Sequence, residues 1–242
     1  MKNIFVTSFL WAFFIPFAFS QNKEHVDGGH FEKSIEYNVK SQYDGSHNLN
    51  SKGEIQKMFF GDFNAPVEFY YLPTSTATMN KELISGFRIV RNSSNILEVK
   101  YISNYVEAAE EAQKMYPLNP NLSWEHPQNK TAWAKQFEEM NKLYKIETLS
   151  FPISSRFAEN LYQKMVSLID NFKAKGVPPV IFGGYSAMFR NVVEDEVWSL
   201  CIDMPNGDAL KMSDLCRQII TDALADQLDE TKYITVLKTF EN

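Results

Sequence analysis

The sequence predicts an α+β fold: a mainly antiparallel sheet built from two hairpins and packed with about four helices. Three observations carry this. Apolar residues alternate with period two around turn residues in 86–103 and again in 185–202. Other segments repeat their apolar residues with helical period. Each hairpin runs directly into a helix, an order that belongs to α+β folds.

The elements follow in chain order. Residues 1–20 open with Lys2, continue apolar from Ile4 to Phe19, and end in Ala18, Phe19 and Ser20, with small residues three and one positions before a cleavage point. That is the anatomy of a secretory signal peptide. A membrane span is the alternative, and this run is short for one. Residues 21–54 are polar and weakly patterned and read as a flexible lead-in with one short element near Ser34–Val39. A single α+β domain is expected over 55–242. "APVEFYYLP", 65–73, is aromatic and β-branched between prolines, which predicts a strand near a sheet edge.

"GFRIVRNSSNILEVKYIS", 86–103, is a hairpin. A three-residue loop sets Ile89 against Leu97, Phe87 against Val99 and Arg88 against Glu98. A four-residue loop would mix the faces, so the pattern selects the shorter one. A helix follows to Met115, with Asn104 and Glu107 as a capping pair and Pro117 as the stop. After a proline-containing loop, Trp133, Phe137, Met140 and Tyr144 form a helical stripe, expected to face the core. "IETLSFPI" is a short strand. Ser154 or Ser155 then caps the longest helix, whose stripe is Phe157, Leu161, Met165, Leu168 and Phe172, ended by Lys173, Lys175, Gly176 and Pro178.

The second hairpin pairs Phe189 with Trp198, Ala187 with Leu200 and Tyr185 with Ile202, leaving Val192 to Asp195 as its tip. Trp198 is then a core residue, and the glycines before Tyr185 mark a bend or a close approach. The last long helix is expected from Ser213 as N-cap, with Leu215, Cys216, Ile219, Ile220, Ala223 and Leu224 buried. "KYITVLKTF" leans to helix with Asp229 as cap.

Composition narrows the chemistry. The chain of 242 residues carries a net charge of −6, and its first twenty residues hold one Lys and no acid. An acidic chain without a Lys/Arg-rich run argues against nucleic acid and against a polybasic membrane patch. After cleavage of 1–20 no membrane span is expected. Cys201 and Cys216 are the two cysteines, and in an oxidising compartment they are a candidate disulfide; two separate buried thiols are the alternative.

Catalytic motifs are weak. Gly184-Tyr185-Ser186-Ala187-Met188 has half of a nucleophile elbow, inside a strand and without a base nearby. His25, Asp27 and His30 lack the preset geometry of a metal site, and Glu194, Asp195 and Glu196 read as a solvated turn. No metal, cofactor or catalytic residue is assigned. Sequons at Asn92, Asn121 and Asn129 fall in expected loops.

"GFRIVRNSSNILEVKYIS" and "VEDEVWSL…ALKMSDLCRQII" resemble segments of uncharacterised exported proteins of Bacteroides-type bacteria. The resemblance implies a periplasmic or secreted location and no residue roles. The leading expectation is an exported, non-catalytic binding or interaction protein with a protein or glycan partner in the envelope. Its candidate contact residues are Trp124 in the proline-containing loop and Val192, Val193, Glu194 and Asp195 at the hairpin tip. The first alternative is a hydrolase of envelope or extracellular polymers using paired carboxylates, which needs two acids in a cleft and one raised pKa. The second is an inhibitor or immunity-type protein.

Overall fold

The computed structural model describes residues 23–26, 30–37, 55–61, 65–73, 83–91, 93–172, 184–194 and 196–240. Its elements are β1 (Lys23–Val26), β2 (His30–Tyr37), α1 (55–60), β3 (Val67–Pro73), β4 (Ser85–Arg91), β5 (Asn95–Ile102), α2 (Tyr105–Met115), α3 (Pro127–Leu143), β6 (Ile146–Ile153), α4 (Ser155–Asn171), β7 (Tyr185–Val193), β8 (Glu196–Asp203), α5 (Gly207–Leu224) and α6 (Glu230–Leu237). The fold is α+β. Its sheet runs in the order β1-β2-β8-β7-β3-β4-β5-β6. The six strands from β8 to β6 are mutually antiparallel, and β2 joins β8 in parallel.

Two strands, β1 and β2, thus fall within residues 21–54, where the sequence suggests one short element. β3 is not at an edge. It lies between β7 and β4 and is buried along its whole length. Aromatic residues on both of its faces suit a central strand, and its prolines sit at its two ends, where a lost ladder donor does no harm.

The β4–β5 register agrees with the sequence pattern: Ile89 faces Leu97, Phe87 faces Val99 and Arg88 faces Glu98. The β7–β8 register differs by two residues. Phe189 faces Leu200, Ala187 faces Ile202, and Trp198 faces Asn191. A two-residue shift keeps every side chain on its face, so alternation alone cannot detect it. The turn decides: the strands extend to Val193 and Glu196, and Glu194 adopts a φ of 55°, the left-handed conformation that a two-residue hairpin turn needs. Trp198 is consequently a half-buried residue at the margin of the core. Phe189 packs on Phe69 instead, with ring centroids 5.3 Å apart.

The main core lies between one sheet face and α4, α5 and α6. Val67, Phe69, Phe87, Leu97, Phe189 and Leu200 of the sheet meet Phe157, Leu161, Met165, Cys216, Ile219 and Tyr233 of the helices. Ser154 caps α4 by accepting from Phe157 N at 3.1 Å. Asp229 caps α6 by accepting from Thr231 N at 3.0 Å. The closing signal read at Lys173 to Pro178 lies outside the described residues. α5 starts earlier than its sequence suggests. Asn206 is its N-cap, and Ser213 is a buried mid-helix residue. Ala209 and Met212 continue the apolar stripe backwards and hold that first turn against the core.

The opposite face carries a smaller cluster of Ile55, Phe59, Phe60, Tyr70, Leu72, Ile84 and Ile102. Cys201 and Cys216 belong to different faces of the sheet. Cys201 is paired in register with Met188, which packs on the smaller cluster, whereas Cys216 is in the main core. No disulfide joins them, and the candidate bridge is corrected on that ground: the sheet lies between the two thiols. Among the described residues no helix is long and apolar enough to cross a membrane.

Candidate interaction surface

α2 and α3 form a helical arm inserted between the adjacent strands β5 and β6. Each helix packs mainly against the other. Small residues Ala108 and Ala112 on α2 are buried, as are Asn129, Gln136 and Met140 on α3. The expected core stripe is corrected in part: Met140 is buried and Tyr144 packs on the smaller cluster, but the first half of the stripe stays at the surface. Trp133 is 37% exposed, Phe137 is half-buried, and Tyr144 follows the helix as its C-cap. A helix with one neighbour can hide only a narrow strip, so the rest of an amphipathic face stays at the surface.

The arm is fastened at its root. Ser103 N donates to Lys145 O at 3.0 Å. The Asn104 amide donates to Leu143 O at 2.9 Å and accepts from Lys145 N at 2.6 Å. Asn104 thus joins the two chains at the root and makes no side-chain cap bond to α2. Tyr105 and Tyr144 stack there, 5.9 Å apart. Burial raises the pKa of both hydroxyls, so both stay neutral.

The far end is organised by one buried side chain. Asn129 Oδ1 accepts from Asn119 N at 2.8 Å, while Nδ2 lies 3.1, 3.2 and 3.0 Å from the carbonyls of Asn119, Leu122 and Ser123. Gln136 Nε2 donates to Tyr116 O at 2.6 Å. Asn119 Oδ1 accepts from Asn121 N, and His126 caps α3 through Nδ1. The loop 116–126 is therefore held by side-chain bonds to its own backbone and from α3. It presents Trp124 at 65% exposure, with Met115 and Leu118 also exposed. Of the nine large apolar side chains that are well exposed among the described residues, five lie on the arm: Val106, Met115, Leu118, Trp124 and Trp133. That concentration, on one protruding element, separates the arm from ordinary scattered surface residues.

The sequon at Asn129 is corrected as well. It is helical, buried and fully engaged, so the folded chain offers no amide for glycosylation. Asn121 is exposed in the loop, and Asn92 lies outside the described residues.

The two sets of predicted contact residues do not meet. The arm springs from the Ile102–Ile146 end of the sheet, whereas the β7–β8 turn lies at the other strand ends, with Arg91, Asn95 and Ile153. Val192 and Val193 are half-buried, and Tyr162 Oη donates to Val192 O at 2.9 Å. The backbone of the tip is tied to α4 by this bond, and neither valine is among the well-exposed apolar side chains. Glu194 is exposed at the turn, and Asp195 lies outside the described residues.

A cleft of about 670 Å³ with a mixed polar and apolar lining opens between α5 and the ends of β3 and β4, near Tyr71, Leu83, Ser85, Arg217 and Ile220. The Arg217 guanidinium lies over the rings of Tyr71 and Tyr185, 4.4 and 5.0 Å from their centroids. Asp214 faces it at 3.4 Å. Burial raises the Tyr185 pKa, while Ser213 and Arg217 nearby oppose that shift. Burial also pushes the Cys216 thiol far up, away from the reactive thiolate.

On the opposite sheet face, neighbouring strands place Ser199, Arg190, Glu68, Arg88, Glu98 and Ser150 in one transverse row. Arg88 Nε donates to Glu98 at 2.6 Å. Glu68 is only 1% exposed. Burial raises its pKa to about 7 against the opposing pull of Arg190 and Arg88. Sequence reasoning missed this acid, although its signal was there: a lone carboxylate between Val67 and Phe69 in a strand otherwise fit for burial. Among the described residues no group of three metal-ligating side chains converges. Asp27 and the side chains of His25 and His30 lie outside the described residues.

No protein-family model, curated protein or solved structure matches the chain.

Proposed function

We propose that the chain is an exported, non-catalytic interaction protein that engages a protein partner through the far end of the α2–α3 arm. The observation that carries this reading is the Asn129 network, which spends a buried amide on fixing the loop that exposes Trp124. An exposed Trp on a rigid loop is the form of an interface anchor, because little entropy remains to be lost on docking. Met115 and Leu118, also exposed at this end of the arm, favour an apolar protein pocket over a glycan, which would pair an aromatic face with polar groups. Export rests on the leader-like residues 1–20 and on the resemblance to exported proteins.

The paired-carboxylate hydrolase has less support. Glu68 has the raised pKa that such a reading needs, but it is enclosed on the sheet face opposite the cleft, and Glu98 is engaged by Arg88. An inhibitor or immunity-type protein would be one particular form of the proposed interaction protein. The test is to place a photoreactive residue at Leu118 in the native host. A single discrete protein adduct, lost on Trp124→Ala, is expected; absence of any adduct from the arm contradicts the proposal.

A further inference from the structure

We infer that the outer edge of β6 pairs with β6 of a second copy, about a two-fold axis at Leu149. β6 ends the sheet, and among the described residues no strand pairs with its outer side. Its hydrogen-bonding phase is fixed at both sides of β5. Ser103 N donates toward β6, to Lys145 O, and Ile102 N donates toward β4, to Ile84 O. Alternation along the ladder then turns Glu147, Leu149, Phe151 and Ile153 toward β5, and turns the backbones of Ile146, Thr148, Ser150 and Pro152 outward. Pro152 agrees with this phase, since a proline is tolerated where no ladder donor is needed.

The edge carries only two of the usual devices against pairing, Glu147 and the outward-turned Pro152, each toward one end of the strand. It is eight residues long, its side chains from Glu147 to Ser150 are exposed, and no Lys stands on it. Self-pairing has few registers, and side-chain chemistry separates them. An axis at Glu147 sets two carboxylates face to face, which opposes association. An axis at Thr148 sets each Glu147 against Leu149 of the other copy. An axis at Leu149 sets the two leucines, each 37% exposed, directly together and keeps the carboxylates apart. In that register Thr148 and Ser150 of each copy exchange both of their outward backbone bonds. Pro152 meets Ile146 at the two ends, where its missing N–H is least costly. A second copy is therefore the occupant that this strand itself specifies, and the pairing does not depend on the arm's partner.

Sedimentation equilibrium of the purified chain across a dilution series tests this. The expected result is a reversible doubling of mass. Leu149→Lys, which sets two cations at the axis, and Ser150→Pro, which removes an outward donor and spares the β5 ladder, should both give a folded monomer with the melting temperature of the natural chain diluted to its own monomer. Leu210→Lys, an exposed position on α5, should remain dimeric. A monomer at every concentration, or a dimer that survives both β6 substitutions, overturns the inference.

Discussion

Arg190 and Glu68 form a buried ion pair in the middle of the sheet, with Nη1 donating to Oε2 at 3.3 Å. Glu68 Oε1 has no hydrogen-bond partner. The pair is thus incompletely satisfied, and desolvation exceeds the attraction of the cations, which is why the carboxyl holds its proton up to about pH 7.

This fixes the direction of a pH effect. The folded pKa of Glu68 is raised from 4.5 to about 7. The native state therefore binds the extra proton, and its stabilising contribution is complete below 4.5 and lost as pH rises through 7. The shift corresponds to about 3 kcal/mol. Chemical denaturation at pH 5 and pH 8 should show Glu68→Gln with a smaller loss of stability on going to pH 8 than the natural chain. Equal losses in both would show that Glu68 is ionised throughout.

Asn129→Ala should unfasten the arm's end without unfolding the body. It leaves Asn119 N and three carbonyls without their side-chain partner, a local cost of about 2–4 kcal/mol. Hydrogen exchange should accelerate in 117–126, and protection in α4 and α5 should hold. Asn129→Asp should behave similarly, because a carboxylate cannot donate to those carbonyls.

Gly184→Ala should destabilise by about 2–3 kcal/mol, since its φ is 104° and a Cβ would stand 1.8 Å from Met204 Sδ. Adding Met204→Ala should recover the steric part and leave the backbone strain. Thermal melting of the single and double variants separates the two.

Much of the fold was legible because local rules and tertiary packing agree there. The β4–β5 register, the α4 stripe and the caps at Ser154 and Asp229 follow from alternation, helical period and side-chain chemistry. The β7–β8 register was not legible, because a shift of two preserves both faces and only the backbone at Glu194 distinguishes the alternatives. Trp133 misled for a different reason. Its helical period is genuine, but period cannot say whether a helix has one neighbour or several. The exposure of Trp124 agrees with its place in a proline-containing loop. Its support by Asn129 was hidden, since a buried Asn inside a sequon looks like a surface residue until the loop is seen closing over it.

Trp124→Ala should leave the unfolding free energy within about 0.5 kcal/mol of the natural chain's, as expected for an exposed side chain outside the core. The same substitution should weaken partner binding by about 2 kcal/mol or more, as for an interface anchor.

The most direct test of the arm's role is photocrosslinking in the native host with the probe at Leu118 and, separately, at Glu194 on the distant turn. The account predicts one protein adduct from Leu118, abolished by Trp124→Ala and reduced by Asn129→Ala, and none from Glu194. The same adduct from Glu194, or an adduct from Leu118 that ignores Trp124, would contradict it.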